Sequence, residues 1–268
     1  MPTRSEEPAV VEEGFHPLDE VIWRALTTVQ EALAEGTGRA RRYPAAVAPF
    51  AATISLDPQS FQSLLILMGS SDDRIALFTP IEIEPPQPFS VFRREKVDQM
   101  ILVDAEACGP PSGTAVETLG KADVPEMLAL TSATQPGPFG PRTTELGEYL
   151  GVRRGGALVA MAGERMQLDG FTEISAVCVD AAHRRQGLAA DLVRALVAPI
   201  RRRSETPFLH VFSSNHQAIT LYRRLGFVLR RQLHLAVLGV EDRGLAGNVS
   251  SIGSSPHESD PIPGIWRL

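Results

Sequence analysis

Two spacings of apolar residues alternate along this chain and divide it into helices and strands. Val21 or Ile22, with Leu26, Val29 and Leu33, repeat at helical spacing and predict a helix over residues 19–35, ended by Gly36. Phe61, Leu64, Leu65 and Met68 predict a second helix, with Asp57 as its N-cap, Pro58 in its first turn and Gly69 as its stop. Apolar runs predict strands over 74–79, 89–93 and 99–103, with a stiff Pro-rich loop at 84–88. The stretch CGPPSG at 108–113 breaks the pattern, and a domain or subdomain boundary is placed there. Beyond it come a strand over 114–119, a helix from Asp123 to about residue 131 with Pro125 near its start, and the turn-rich loop TQPGPFGP at 134–141. A hairpin turns at Gly155-Gly156 between strands 149–153 and 157–166. Then follow a strand over 172–179, a helix over 188–198 that Pro199 should end or kink, a strand over 208–212, a helix over 215–225, and one or two strands over 227–237.

Composition narrows the class. At 268 residues the chain is one large domain or two small ones, and 43% hydrophobic with 22% charged residues supports an ordinary globular core. A net charge of −6 argues against a nucleic-acid backbone binder. Cys108 and Cys178 are far apart and in unlike contexts, so neither a disulfide framework nor a metal site is expected, and a reducing cytoplasm is the expected home. Residues 1–15 are acidic, without the apolar stretch of a signal peptide, and read as a loose arm. No apolar run approaches the roughly 20 residues of a membrane span. Residues 241–268 are rich in Gly, Ser and Pro and read as a flexible tail, although Trp266 could tuck back onto the body.

Candidate chemistry centres on HRRQGLAA, 183–190, which follows the strand at 172–179 and opens a helix. A strand, a glycine turn and a helix start point free N–H groups and a partial positive charge at the turn, a site suited to a pyrophosphate. Arg184 and Arg185 add charge, Gly187 allows close approach, and Ala189 and Ala190 keep the first turn thin. The spacing is neither that of a Walker loop nor G-x-G-x-x-G. Alone, the stretch reads equally as a surface turn. A second strand–helix unit follows, LHVFSSNHQAITLYRRLGF, in which Asn215 can cap the helix and shares a face with Tyr222, seven residues on. Leu225-Gly226-Phe227 is a C-cap signature.

Together these segments resemble the GNAT superfamily of acetyl-CoA-dependent N-acetyltransferases over residues 114–240, best in 172–228. The resemblance implies an α/β fold with a mixed, mostly antiparallel sheet, helices on both faces, and a fourth strand that splays from the fifth. It implies that the main chain of Val177, Cys178 and Val179 pairs with the pantetheine arm of acetyl-CoA. The pyrophosphate would lie over Arg184, Arg185, Gln186, Gly187, Leu188, Ala189 and Ala190, and Asn215 would contact the arm. Ala189 stands where the family often has glycine. Tyr222 matches the tyrosine that protonates the departing thiolate, a proton a phenol of pKa near 10 can give at neutral pH; otherwise it is a half-buried aromatic. Glu173 matches a glutamate that serves as base directly or through water, and His210 matches an acidic position on the next strand that could serve instead. Each also has a plainer reading, a strand-end carboxylate in solvent and a core histidine. Cys178 could form an acyl-enzyme, but direct transfer is the family's usual route.

The function implied is transfer of acetyl to an amine of a small molecule or peptide, with acetyl-CoA as co-substrate and no metal, nucleic acid or membrane involved. A homodimer is the expected oligomer if one forms. The competing readings are a CoA-binding regulatory module without turnover and a transferase for a longer acyl group. Residues 16–112 fall outside the resemblance and are expected to form an N-terminal α/β region, in one reading a degenerate copy of the same fold, joined to a transferase domain over 113–240. The acceptor's determinants are expected in the N-terminal half and in the loop at 134–141.

Overall fold

A computed structural model describes residues 16–110 and 112–240; the arm at 1–15 and the tail at 241–268, with Trp266, lie outside the described residues. In chain order the strands are β1 (Ala40–Arg42), β2 (Ala51–Thr53), β3 (Ile75–Thr79), β4 (Phe89–Leu102), β5 (Glu117–Leu119), β6 (Tyr149–Arg154), β7 (Ala157–Leu168), β8 (Phe171–Val179), β9 (Thr206–Phe212) and β10 (Phe227–Val240). The helices are α1 (Val21–Thr27), α2 (Pro58–Ile66), the single turn α3 (Ala105–Cys108), α4 (Val124–Thr134), α5 (Leu188–Arg202) and α6 (His216–Arg224). β1 and β2 form a small sheet of their own, and the other strands form one eight-stranded sheet in the order β3-β10-β4-β9-β8-β7-β6-β5. Neighbours in it are antiparallel except β8 and β9, which run parallel.

This order corrects the expected N-terminal half-copy. β3 and β4 precede the break at 108–113, yet they flank β10 in the common sheet, and β4 lies between β10 and β9. Residues 16–112 have no sheet of their own beyond β1–β2; they complete the sheet that the later strands leave open. The break is instead tied down. Asp191 in the first turn of α5 is buried and accepts hydrogen bonds from Ser112 N and Oγ and from Thr114 Oγ1, while Arg194 Nε donates to Cys108 O at 2.6 Å.

The two faces are packed by alternate residues of each strand, as period-2 patterning requires. On one face Leu150, Val152, Ala160, Ala162, Leu209 and Val211 meet α5 and Tyr222, Ile219 and Leu225 at α6. On the other, Phe208, Val97 and Met166 meet α1 and the Tyr43–Phe50 segment, and Tyr149, Met161 and Cys178 meet α4.

Three predicted elements differ. β4 is one strand where two were read; among the described residues its ladder with β10 runs from Phe89 to Leu102, whereas its ladder with β9 begins only at Val97. The helix over 19–35 stops at Thr27, where Thr27 and Thr28 turn their hydroxyls back onto Trp23 O and Arg24 O. α5 runs through Pro199, since its last turn is anchored by Ile200, which has no exposure.

The C-cap at Gly226 joins the site-bearing helix α6 to β10. Its φ is +86°, and a Cβ there would stand 2.1 Å from Asp104 O. Gly226→Ala is expected to lower stability by about 2–4 kcal/mol, through strain and backbone collision together. Urea unfolding of the two proteins checks this.

Candidate active site

Parallel pairing between β8 and β9 covers only Phe171–Thr206, Thr172–Pro207 and Glu173–Phe208. Beyond Glu173 the strands part, each held on its outer side, β8 by β7 and β9 by β4. Their inner edges, Ile174 to Val179 and Leu209 to Phe212, therefore face an open fork. A bulge helps to open it. Between the pairs Met161–Cys178 and Gly163–Ser175, β8 carries one residue more than β7, and Ala176 takes φ +53°. The extra residue inverts the alternation: Ile174 packs toward α5, whereas Ala176 and Cys178 point to α4 and Val177 and Val179 pack toward α5. A cavity of about 430 Å³ fills the fork.

The turn after β8 has the shape the sequence indicated. Asp180 caps it by accepting from Ala182 N; Arg185 has φ +63° and Gly187 has φ +83°, with open space around the glycine. α5 begins at Leu188 without a side-chain cap, so the first-turn N–H groups at Leu188, Ala189 and Ala190 have no intrahelical acceptor. Arg184, Arg185 and Gln186 are exposed around them. Asn215 caps α6 through Ala218 N at 3.1 Å, and both it and Tyr222 line the cavity. Among the described residues the Tyr222 hydroxyl has no hydrogen-bond partner. Burial, with a contribution from Cys178, pushes its pKa well above the usual phenol value. Val177 lines the cavity too, but the Cys178 side chain lies on the α4 side, near Thr134, and burial pushes its thiol up to about 11.

Glu173 is where expectation and structure part. Neither a solvent carboxylate nor a free base, it is wholly buried at the last paired position before the fork. Oε2 accepts from Arg165 Nε (2.8 Å) and Met166 N (3.3 Å), and Oε1 from Arg165 Nη2 (2.6 Å) and His210 Nδ1 (2.7 Å). Burial alone would raise its pKa; the Arg165 charge and the hydrogen bonds of Arg165 and His210 outweigh it and hold it at about 2. Its lone pairs are committed, and a group so acidic is a poor proton acceptor.

His210 is brought to Glu173, as both readings of it allowed, and both ring nitrogens are engaged. Nδ1 donates to the carboxylate. Nε2 lies 3.1 Å from the amide nitrogen of Gln99, whose oxygen is taken by Arg230 Nε at 2.6 Å, so Nε2 is the acceptor. Gln99 also donates to Leu18 O, which fixes the N-terminal segment over the site. Arg165, Gln99, Phe50 and Phe78 were not among the expected residues. The signal for Arg165 was available: Glu164-Arg165 is a charged pair inside an otherwise apolar strand.

Comparison with known proteins bears on this geometry. The FR47-like protein family matches residues 149–235, the span that carries the fork, turn and cap. A [Ribosomal protein bS18]-alanine N-acetyltransferase of Escherichia coli (strain K12) is 30% identical over 136 residues, 47% of this chain and 91% of the relative. A structure assigned as a GNAT-family acetyltransferase from Novosphingobium aromaticivorans is 38% identical, with 85% of this chain and all of that one covered and a TM-score of 0.79. A GCN5-related N-acetyltransferase from Kribbella flavida shares the fold at 16% identity, TM-score 0.55, over 85% of this chain and 95% of its own.

The Arg165–Glu173 pair sets an acid limit on stability. A carboxylate whose pKa is depressed in the folded state contributes stability above its ordinary value, lost as pH falls through the folded one. The shift from 4.5 to about 2 corresponds to a contribution on the order of 3 kcal/mol. Glu173→Gln is expected to be less stable at pH 7 by about 3–5 kcal/mol, because Arg165 is left buried without its counter-charge. The gap should narrow as pH falls from 4.5 toward 2. Urea unfolding across that range measures it.

Proposed function

The chain belongs to the GNAT family of N-acetyltransferases, and from that premise we propose that it transfers acetyl from acetyl-CoA to a primary amine by direct attack. The observation that carries this reading is the fork: two unpaired strand edges, a bulge at Ala176, and Tyr222 at the wall of the cavity between them. The residues fit the co-substrate. The main-chain edge at Val177, Cys178 and Val179, where Arg184 Nε now reaches Val179 O at 3.4 Å, would hold the pantetheine arm as an added strand, with Asn215 beside it. The exposed turn of Arg184, Arg185, Gln186 and Gly187, with the first-turn N–H groups of Leu188, Ala189 and Ala190, would hold the pyrophosphate. Bound there, acetyl-CoA supplies an activated acyl carbon on a thiolate leaving group.

Tyr222 is the acid in this proposal. Its hydroxyl lies at the cavity wall and, among the described residues, is not spent on another group. Glu173 acts as a positioning residue, holding Arg165 and His210 at the apex of the fork, rather than as the base. The proton lost by the acceptor nitrogen equals the one gained by the departing sulfur, so Tyr222 can give one and recover the other through water with no charged base. Cys178 stays a thiol and faces α4, which supports direct transfer over an acyl-cysteine. The E. coli relative is named for an alanine of a ribosomal protein, which supports an amine as acceptor. Two buried free thiols fit a reducing compartment such as the cytoplasm.

Tyr222→Phe is expected to lower kcat by about 10²-fold or more, the usual contribution of a positioned acid, while acetyl-CoA affinity measured by calorimetry stays the same. Normal turnover by this variant removes the role. Cys178→Ala should keep its rate within about twofold, and loss of turnover with the fold intact would instead favour a covalent route.

A further inference from the structure

We propose that the acceptor is a small monoamine bearing an apolar, ring-sized group, and that Phe78 sets this preference. The proposal rests on the acetyltransferase reading of the same cavity. That cavity passes through the fork from one face of the sheet to the other. Tyr222 and Val211 wall it on the α5–α6 face, and Phe50, Phe78, Val97 and Leu235 wall it on the α1 face. The acyl arm belongs to the fork, so the far chamber is what remains for the body of the acceptor.

On the α1 face that chamber has an aromatic and aliphatic side, completed by the paired Arg165 and His210. Phe50 and Phe78 have ring centroids 5.4 Å apart, Phe78 lies 4.6 Å from the His210 ring, and the Arg165 guanidinium covers Phe50 at 4.7 Å. A further apolar ring or branched group would extend this stack, and a cavity of about 430 Å³ that also takes the acyl arm leaves room for one such group.

The charges point the same way. Among the described residues that line the cavity there is no Asp or Glu. The permanent charge at its wall, Arg165, is neutralised by Glu173. Glu173 is engaged with Arg165 and His210, and Asp98 on β4, whose Oδ1 accepts from Ser213 and Gln232, is not part of the lining. A polyamine or aminoglycoside would bring further ammonium groups into this space with no counter-ion to offset their lost hydration. A single amine meets the opposite condition. The apolar side of the chamber and the absence of a carboxylate from its described lining favour the neutral form of the amine, which is the nucleophilic one.

Phe78 is the partition of the chamber. It stands half-buried on the edge strand β3 and also lines a second cavity of about 270 Å³, together with Trp23 and Asp19. Removing its ring joins the two spaces.

The test uses the full chain with acetyl-CoA and follows thiol release with phenethylamine, spermidine, kanamycin and a short peptide beginning with alanine. The expected result is a kcat/KM for phenethylamine at least about tenfold above each of the others, the scale on which apolar pockets discriminate. Phe78→Ala should raise KM for phenethylamine by about tenfold with kcat within about twofold, and Phe78→Leu should restore most of the affinity. Preference for spermidine, kanamycin or the peptide overturns the acceptor class but leaves the transferase reading standing. An unchanged phenethylamine KM in Phe78→Ala overturns the role of Phe78. If calorimetry shows acetyl-CoA bound and none of the four amines releases thiol, the transferase reading falls and this proposal with it.

Discussion

The fork in the sheet depends on a buried ion pair at its apex. Arg165 and Glu173 meet at the last point where β8 and β9 still pair, and the carboxylate has no exposure. A carboxylate out of water holds its charge only when its own lone pairs are engaged and a cation stands beside it. Here that requirement recruits the surroundings in sequence. Glu173 accepts from His210 Nδ1, His210 Nε2 accepts from the Gln99 amide, and Gln99 accepts from Arg230 and donates to the Leu18 carbonyl. The chain of contacts runs from the middle of the sheet to the segment that covers it. The strands can part without fraying because the point of parting is held from both sides by this network.

The N-terminal residues take part in the same device. β4 supplies β9 with the antiparallel neighbour that lets its other edge stay free, and β4 also carries Gln99 and Val97. Phe50 and Phe78 close the α1 face of the cavity. The segment that lay outside the resemblance in sequence thus forms much of the cavity's wall on that face.

What was legible in the sequence was local. The Gly155-Gly156 hairpin, Asp57 before Pro58, the glycine turn at 187 and the Asn215 cap each specify geometry within a few residues, and each sits where it was read. What was not legible depended on distant partners. β4 read as two strands because its charged middle looks like a loop until its ladder with β10 is known. Glu173 read as a base or a carboxylate in solvent because the Glu164-Arg165 pair, visible in the chain, does not show that Arg165 would take both of its oxygens. The bulge at Ala176 reverses which residues face which helix, and an alanine at positive φ leaves no mark in composition.

The place of β4 also bears on how the molecule comes to be made. β4 ends at Leu102, and the strands on either side of it begin at Thr206 and Phe227. During synthesis its two edges emerge long before anything exists to cover them, and the closure of such distant pairings is slow. Its charged first half, with Arg93, Arg94, Glu95 and Lys96, is the sort of sequence that discourages pairing with a stranger in the meantime. The charges that interrupt the apolar pattern of β4 are therefore also its protection while the nascent chain waits for β10.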